Sequence, residues 1–256
     1  VTVSLQRAIG LSNGYFVARM DSDDVSFSQR FEKQVEHLEK SEEPCVLGTQ
    51  FQKVDDKGSL IKPRSYRSCT ALTVWWDMFF YPSIVHPTVM AHREVMCKFN
   101  ESNMEIYFPD AEDHAFWLRM GFITRMENLP DILFYFRRHS SRVTSSTNLV
   151  QINSSERAIQ GALKKAIGRE VSISAIQSYK NPVTINNREI AYEAMKALID
   201  LYIFFVNSYF ISFFDKKIIR DKLTICFLNY EETFRIINPR ISKDARDLLR
   251  KLLLLI

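Results

Sequence analysis

The sequence predicts an α/β fold that is followed by a mostly helical C-terminal region. Three observations support this prediction. Residues 15–20 form an apolar run rich in aromatic and β-branched side chains, which is typical of a buried strand. Strand-like and helix-like segments alternate as far as about residue 145, whereas only helical periodicity continues beyond about residue 150. We therefore predict an α/β domain over residues 1–145 and a helical region over residues 146–256.

Local patterns place the elements in order. Phe31, Val35 and Leu38 are spaced as on one face of a helix, which predicts a helix over residues 28–40 with Ser26 or Ser28 as its cap. The other predicted elements of the domain are a strand at 45–51, a partner strand near 60–61 beyond a turn at 55–58, a helix at 71–81, a strand at 85–92, a helix at 113–120, and short strands at 122–125 and 131–136. Beyond a Ser/Thr/Asn-rich linker at 144–155, helices are predicted at 155–167, 172–179, 187–205, 216–228 and 242–256.

Composition points to a soluble protein with a substantial core. The chain has 256 residues, of which 46% are hydrophobic and 25% are charged. Its four cysteines are widely spaced and form no Cys-x-x-Cys pair, which favours a reducing compartment, so we expect a cytoplasmic location. The first residues contain no initiator methionine and no signal-peptide pattern, and we expect the chain to begin inside a longer protein.

Charge is distributed unevenly along the chain. Residues 1–145 contain 17 Lys/Arg and 19 Asp/Glu, whereas residues 146–256 contain 17 and 11, a net charge of +6. The apolar run at 201–214 is shorter than the roughly 20 residues that a spanning helix needs. A buried core helix is the first interpretation of this run, and a helix lying on the inner membrane surface is the second. The basic residues form no recognisable nucleic-acid-binding module, so we expect no nucleic acid partner.

Three carboxylates, Asp21, Asp23 and Asp24, directly follow the first predicted strand. A strand that delivers acids to its C-terminal end is where an α/β sheet commonly binds a charged ligand, often with a divalent cation. Neighbouring carboxylates raise each other's pKa unless a cation neutralises them. The sequence therefore predicts a site for Mg²⁺ or Mn²⁺, which prefer oxygen ligands. Solvated acids at the start of a helix are the simpler alternative.

Five segments resemble, in order and spacing, the family 2 glycosyltransferases of the GT-A fold. They are Gly14-Tyr-Phe-Val-Ala-Arg-Met-Asp-Ser-Asp-Asp24 with an Asp-x-Asp motif, Ser28-Gln-Arg-Phe-Glu-Lys-Gln-Val35, His86-Pro-Thr-Val-Met90, Pro109-Asp-Ala-Glu-Asp-His-Ala-Phe-Trp-Leu-Arg119 with a Glu-Asp motif, and Phe136-Arg-Arg-His139. The resemblance covers roughly residues 4–145 and implies a GT-A-like, Rossmann-related mixed sheet flanked by helices. Phe136 stands where the family commonly has Tyr. The absence of a Gln-x-x-Arg-Trp motif indicates single additions rather than processive synthesis.

The resemblance implies an inverting, metal-dependent glycosyltransferase. Such an enzyme moves a sugar from a nucleotide-sugar donor to a glycan or lipid-linked acceptor, commonly in surface polysaccharide biosynthesis. Asp23 and Asp21 would hold the Mn²⁺ or Mg²⁺ ion. Asp113 would be the base that takes the proton of the acceptor hydroxyl, and simple helix N-terminal charge is its alternative role.

The remaining site residues also come from the resemblance. Asp21, Asp23, Arg137 and His139 would bind the donor, with the last two meeting its diphosphate. Glu112 and His86 would lie on the acceptor side. A surface basic cluster is the alternative for Arg137 and His139, and a hydrogen-bonded structural histidine is the alternative for His86.

Other functions compete with this interpretation. A haloacid-dehalogenase-like phosphatase would use Asp21 as its nucleophile but needs a second Gly-Asp loop, and no Gly-Asp pair occurs in the chain. An EF-hand beginning at Asp21 lacks the required oxygen ligand at Val25 and glycine at Ser26. The remaining alternative is a catalytically incomplete GT-A fragment that acts as a binding or scaffold module. The family's first strand lies upstream of Val1, so we expect the isolated chain to bind a donor weakly.

Overall fold

The computed structural model describes residues 2–62, 66–100, 108–138, 149–184, 187–208 and 213–254. The chain divides into two compact units, Val1–Ser155 and Glu156–Ile256. The predicted boundary at residue 145 and the first part of the predicted linker, residues 144–148, lie outside the described residues.

The first unit combines strands and helices, which confirms the predicted α/β class. In chain order it contains α1 (Thr2–Leu11), β1 (Phe16–Ala18), β2 (Val25–Ser26), α2 (Arg30–Glu39), β3 (Cys45–Val54), α3 (Ala71–Met78), a 3₁₀ helix (His86–Thr88), β4 (Met90–His92), α4 (Arg93–Asn100), α5 (Glu112–Met120) and β5 (Arg125–Arg137). Helix α6 (Leu149–Ile167) begins in this unit and continues into the second.

Within the described residues, five strands form one mixed sheet in the order β1-β4-β3-β5-β2. Strand β4 is antiparallel to both β1 and β3, and β3 is parallel to β5. Strands β1, β3 and β5 therefore run in the same direction. Their carboxyl ends, at Ala18, Val54 and Arg137, lie on the same side of the sheet, which we call the carboxyl rim.

A six-residue loop, residues 19–24, joins the two edge strands of this sheet, β1 and β2. In a flat sheet the edge strands would be about 19 Å apart, at roughly 4.8 Å per strand. The loop is too short for that span because it contains a turn, in which the Asp24 amide donates to the Asp21 carbonyl (3.3 Å). The sheet must therefore curl, and the loop carries the three aspartates past the carboxyl rim.

The core lies around the central strand. Strand β3 is buried along almost its whole length, and the core cluster includes Leu38 of α2, Leu47 of β3, Met90 of β4 and Leu133 of β5. Each of these side chains is less than 5% exposed. Burial of α2 against the sheet restricts the position of the loop that precedes it, because only β2 and residues 27–29 separate the loop from α2.

Several strand predictions needed correction. Residues 15–20 do not form a buried strand: β1 has only three residues and is half-buried, because it lies at the edge of the sheet. The predicted strand at 85–92 begins with a 3₁₀ helix, since the Thr88 amide bonds to the Val85 carbonyl (2.8 Å), and continues as β4. The strand predicted at 122–125 is wrong for residues 122–124, which form a turn ahead of β5, whereas the strand predicted at 131–136 lies within β5. The register of β5 against β3 shifts beside Pro130, which lacks an N–H.

The helix predictions were closer. Helix α2 lies within the predicted range, although Gln29 occupies the cap position and makes no side-chain cap bond. The predicted partner strand near residues 60–61 is a single antiparallel bridge between Val54 and Leu60. Helices α1 and α4 were not predicted from the sequence.

The second unit, as described, is built from helices. Besides the rest of α6 it contains α7 (Ile173–Lys180), a 3₁₀ helix (Pro182–Thr184), α8 (Arg188–Ser208), α9 (Phe213–Ile237) and α10 (Pro239–Leu254). Leu201, Tyr202 and Phe205 of α8 are buried, in agreement with the first interpretation of the apolar run. Among the described residues, no helix combines the length and the hydropathy that crossing a membrane requires.

Candidate functional site

The structure brings the three aspartates of the loop together. Asp21, Asp23 and Asp24 each offer a carboxylate oxygen, and these oxygens lie within 4.8 Å of one another. Asp21 and Asp23 are half-buried, and Asp24 is buried. The set consists of carboxylate oxygens alone, which fits Mg²⁺ or Mn²⁺ better than a metal that prefers nitrogen or sulfur. We call these three residues the acidic cluster.

An arginine that the sequence analysis overlooked contacts this cluster. The guanidinium of Arg19 forms a bidentate ion pair with the Asp21 carboxylate, with Nη1 2.9 Å from Oδ2 and Nη2 2.7 Å from Oδ1. The Arg19 side chain is only 10% exposed. Its backbone amide donates to the Val89 carbonyl (2.8 Å), which ties the start of the loop to the segment before β4. Arg19 therefore places a positive charge beside the acids.

A second arginine that the sequence did not indicate, Arg30, supports the loop from helix α2. Arg30 of α2 is fully buried, and its Nη2 donates to the carbonyls of Arg19 (2.8 Å) and Val89 (3.2 Å). Its Nε donates to Gln34, whose amide in turn donates to the Leu47 carbonyl (2.9 Å). Burial, together with repulsion from Arg19, lowers the pKa of Arg30 to about 10. The guanidinium thus remains charged at neutral pH and connects the loop to α2 and β3.

Asp113, the predicted base, lies in the first turn of α5. Its carboxylate accepts a hydrogen bond from the His114 amide (2.7 Å), and the His114 ring is bonded to the Met78 carbonyl (2.8 Å). Burial raises the pKa of Asp113, the His114 amide and Arg19 oppose this effect, and Asp21 adds to it. The charges of Arg19 and Asp21 both act on Asp113, so the start of α5 lies within electrostatic range of the acidic cluster.

His86, predicted for the acceptor side, also faces this region. It is 7% exposed and its ring lies against that of Trp117, with 5.5 Å between ring centroids. Burial lowers the pKa of His86 well below its ordinary value, and the charge of Arg19 lowers it further. His86 is therefore neutral at physiological pH. Its position beside Arg19 leaves both the acceptor-side and the structural interpretations open.

Arg137 contacts the loop mainly through backbone groups. Its Nε donates to the Asp23 carbonyl (2.9 Å), and its Nη1 donates to the carbonyls of Asp55 (3.2 Å) and Asp56 (3.1 Å). The Arg137 amide donates to the carboxylate of Asp24 (2.8 Å). These bonds join the carboxyl ends of β3 and β5 to the acidic cluster. Contact with a donor diphosphate stays a prediction for Arg137.

The other two predicted site residues are placed less completely. Glu112 is the first residue of α5 and is half-buried next to Asp113. His139 lies outside the described residues. In the described part of the chain, the structure thus joins Asp21 and Asp23 in one cluster with Arg19 on Asp21, and Asp113 and His86 lie within electrostatic range of Arg19. The signal that could have identified Arg19 is a cation placed two residues before a run of acids.

No family model matches the chain. The chain is similar to glycosyltransferases. It is 27% identical over 159 residues to an uncharacterized glycosyltransferase of Haemophilus influenzae, a match covering 57% of this chain and 47% of the relative. It is 27% identical over 175 residues to the O-antigen biosynthesis glycosyltransferase WbnJ of Escherichia coli, covering 64% of this chain and 63% of that protein.

A third relative is the amylovoran biosynthesis glycosyltransferase AmsE of Erwinia amylovora. The match is 27% identical over 154 residues and covers 56% of each chain. The chain spans less than two thirds of the length of each of these relatives.

Proposed function

We propose that this chain is the catalytic part of an inverting, metal-dependent glycosyltransferase of the family 2, GT-A type. The observation that carries the proposal is the combination of two features: the acidic cluster at the carboxyl rim, and the half-buried carboxylate of Asp113, whose pKa responds to Asp21. Relatives named glycosyltransferases support the same reaction class. The donor would be a nucleotide-sugar.

Asp23 and Asp21 are the residues that would hold Mn²⁺ or Mg²⁺. The ion supplies positive charge for the diphosphate that leaves the sugar. The protein contributes the position of the ligands, because Arg137 fixes the Asp23 backbone and Arg19 fixes the Asp21 side chain. A cluster held in place before the substrate arrives needs little rearrangement during the reaction.

Asp113 would act as the general base. As the acceptor oxygen forms its bond to the anomeric carbon, the hydroxyl proton passes to the Asp113 carboxylate, and the bond from the anomeric carbon to the phosphate oxygen breaks with its electron pair. Attack from the face opposite the leaving group inverts the anomeric centre. The raised pKa of Asp113 suits this task, because it brings the carboxylate closer to the proton affinity that a base requires.

The acceptor would be a glycan or a lipid-linked sugar. Glu112 is a carboxylate that directly precedes the proposed base, and His86 is a neutral hydrogen-bonding group whose ring packs against Trp117, one helical turn beyond that base. The names of two relatives, for O-antigen and amylovoran biosynthesis, support a role in surface polysaccharide assembly.

A donor screen on the full-length protein tests the proposal, with Asp23→Ala, Asp113→Ala and, as a matched control, Asp131→Ala. Asp131 is a partly exposed aspartate paired with Lys33 and separate from the acidic cluster. We expect Asp23→Ala to abolish turnover and its response to Mn²⁺. Asp113→Ala should lower turnover by about 10²-fold or more while Mn²⁺ binding persists. Full turnover in both variants would rule out the assigned roles.

The basic helical region is proposed to rest on an anionic membrane surface, where a lipid-linked acceptor would be located. Its net charge of +6 and the exposed Lys243, Arg250 and Lys251 of α10 support this contact, since each basic residue near such a surface contributes about 1 kcal/mol. Replacing Lys243 and Lys251 by Glu should reduce co-sedimentation with anionic liposomes. Lys57→Glu, in an exposed turn of the first unit, is the control. Equal sedimentation of all three proteins would eliminate the contact.

A further inference from the structure

We propose that Arg19 is a built-in counter-ion that competes with the divalent cation for Asp21, so that the acidic cluster binds a metal weakly unless a negatively charged donor is also present. The inference rests on the proposed metal-binding role of Asp21 and Asp23. It assigns Arg19 a positioning role, because the residue acts through the Asp21 carboxylate.

The geometry of the pair is the first support. Both terminal nitrogens of Arg19 contact the Asp21 carboxylate, at 2.9 and 2.7 Å, and such a two-pronged pair is stronger and more directional than a single contact. The side chains are 10% and 30% exposed, so water screens the attraction only in part. The carboxylate that the metal would use is therefore already engaged by a cation.

The second support is that Arg19 cannot easily move away as a whole. Its amide is bonded to the Val89 carbonyl, and its own carbonyl accepts from the buried Arg30 (2.8 Å for both bonds). The backbone of Arg19 is thus anchored on both sides, and only the side chain is free to change its conformation. This anchoring keeps the guanidinium near Asp21, which an exposed ion pair between two flexible side chains would not do.

The third support is the position of the charge in the site. Arg19 acts electrostatically on His86 and on Asp113, as well as contacting Asp21. The guanidinium thus lies among the residues proposed for the metal, the acceptor and the base. A change in the position of the guanidinium would change the electrostatic potential at all three groups.

The consequence is coupling between the metal and the donor. A divalent cation bound to Asp21 would lie close to the Arg19 charge, and their repulsion at this partly buried position should cost about tenfold in affinity. The diphosphate of a donor is negatively charged and attracts the guanidinium, which relieves the repulsion. By thermodynamic reciprocity, the donor then strengthens metal binding by the same factor by which the metal strengthens donor binding.

Titration with Mn²⁺ alone, followed through the paramagnetic resonance signal of free Mn²⁺, tests the inference without measuring activity. Arg19→Met removes the competing charge and should bind Mn²⁺ about tenfold more tightly than the wild-type chain. Arg19→Gln is neutral but still donates hydrogen bonds, and it should show the same gain in Mn²⁺ affinity. It replaces Arg19→Met in the comparison where that variant folds poorly. Arg19→Lys keeps the charge and should remain near wild type. Arg125→Met, which removes an exposed arginine paired with Glu127, is the matched control.

The direction in which Mn²⁺ affinity changes in the neutral Arg19 variants decides between the two explanations. If Arg19 merely held the loop in shape, its neutral variants would bind Mn²⁺ equally or more weakly, and that result would overturn the inference. Asp23→Asn in the otherwise wild-type chain separates this failure from failure of the proposed function. Loss of Mn²⁺ binding in Asp23→Asn places the metal at the acidic cluster, whereas persistent binding would remove the metal site on which both proposals depend.

Discussion

At the scale of single residues, the support for the acidic cluster depends on a charge buried beneath it. Arg30 has no exposed surface and satisfies three acceptors, namely the carbonyls of Arg19 and Val89 and the side-chain oxygen of Gln34. Its guanidinium also lies over the ring of Phe134, 5.1 Å from the centroid. Desolvation of the charge is unfavourable, but removal of the side chain would take the Arg30 donor away from the Arg19 carbonyl and the Gln34 oxygen, whereas the Val89 carbonyl would keep the Arg19 amide.

We therefore expect Arg30→Met to lower the free energy of unfolding by about 3 kcal/mol, since each buried acceptor left without a partner costs roughly 1–3 kcal/mol and nearby groups relax in part. Urea denaturation measures this change. Arg125→Met, which removes an exposed charge paired with Glu127, should change stability by less than about 0.5 kcal/mol. A loss below 1 kcal/mol in Arg30→Met would mean that the loop does not depend on this network.

Asp113 gives a prediction about pH. A base must be ionised, so catalytic efficiency falls when the pH drops through the pKa of Asp113, and burial raises that pKa above the ordinary aspartate value. The acid limb of the profile of kcat/KM against pH should accordingly lie above the range of an exposed aspartate. Asp113→Asn should lower kcat by about 10²–10⁴-fold and remove this limb. An unchanged acid limb in the Asn variant would assign the base to another group.

The sequence identified the acids but not the arginines that position them. Asp21, Asp23 and Asp113 belong to motifs that can be recognised in one dimension. Arg19 lies inside an apolar run and Arg30 opens a helix, and an arginine at such positions ordinarily faces solvent. Only the curl of the sheet and the burial of the first turn of α2 bring the Arg19 side chain to Asp21 and the Arg30 side chain to the loop backbone, and neither property is visible in the sequence.

At the scale of elements, the contact between Gly48 and Asn128 determines how closely β3 and β5 pack near their amino ends. Gly48 of β3 is paired with Asn128 of β5, and a Cβ atom at Gly48 would overlap the side-chain oxygen of Asn128. The Asn128 amide donates to the carbonyls of Ser68 (2.8 Å) and Ser83 (3.1 Å), so the side chain cannot turn away without losing bonds.

Gly48→Ala should therefore destabilise the first unit by about 1–3 kcal/mol, the usual range for overpacking a core. Gly161→Ala is the control, because a Cβ atom there meets nothing within 4 Å in helix α6. Alanine is the better helix former, and this variant should gain about 1 kcal/mol. Thermal unfolding of both variants measures the difference, and equal stability of the two would show that the strands can move apart.

Predictions of helices and strands succeeded where the apolar pattern extended over several turns, and they failed where tertiary contacts determine the local structure. Helices α2 and α3 lie inside the ranges that apolar spacing predicts. Only residues 131–136 and Arg125 of β5 were predicted as strand, yet β5 continues from Arg125 past Pro130 through a bulge. The 3₁₀ helix at His86–Thr88 was missed, since a three-residue helix has no periodicity to detect.

At the scale of the whole molecule, strand order decides where the chemistry can occur. The α/β class follows from the alternation of segments, but the order β1-β4-β3-β5-β2 does not, because pairing between distant strands leaves no local pattern. This order makes residues 19–24 a bridge between the two edges of a curled sheet. The bridge brings the acidic cluster to Arg137 and into the electrostatic range of Asp113.

The most direct measurement is a crystal structure of the protein with Mn²⁺ and a nucleoside diphosphate, with the metal located by anomalous scattering. The account predicts an anomalous peak bound by Asp23 or Asp21, bridging to the diphosphate, with the Asp113 carboxylate on the side where the sugar would lie. A peak bound away from the acidic cluster, or an Asp113 carboxylate turned away from the diphosphate, would contradict it.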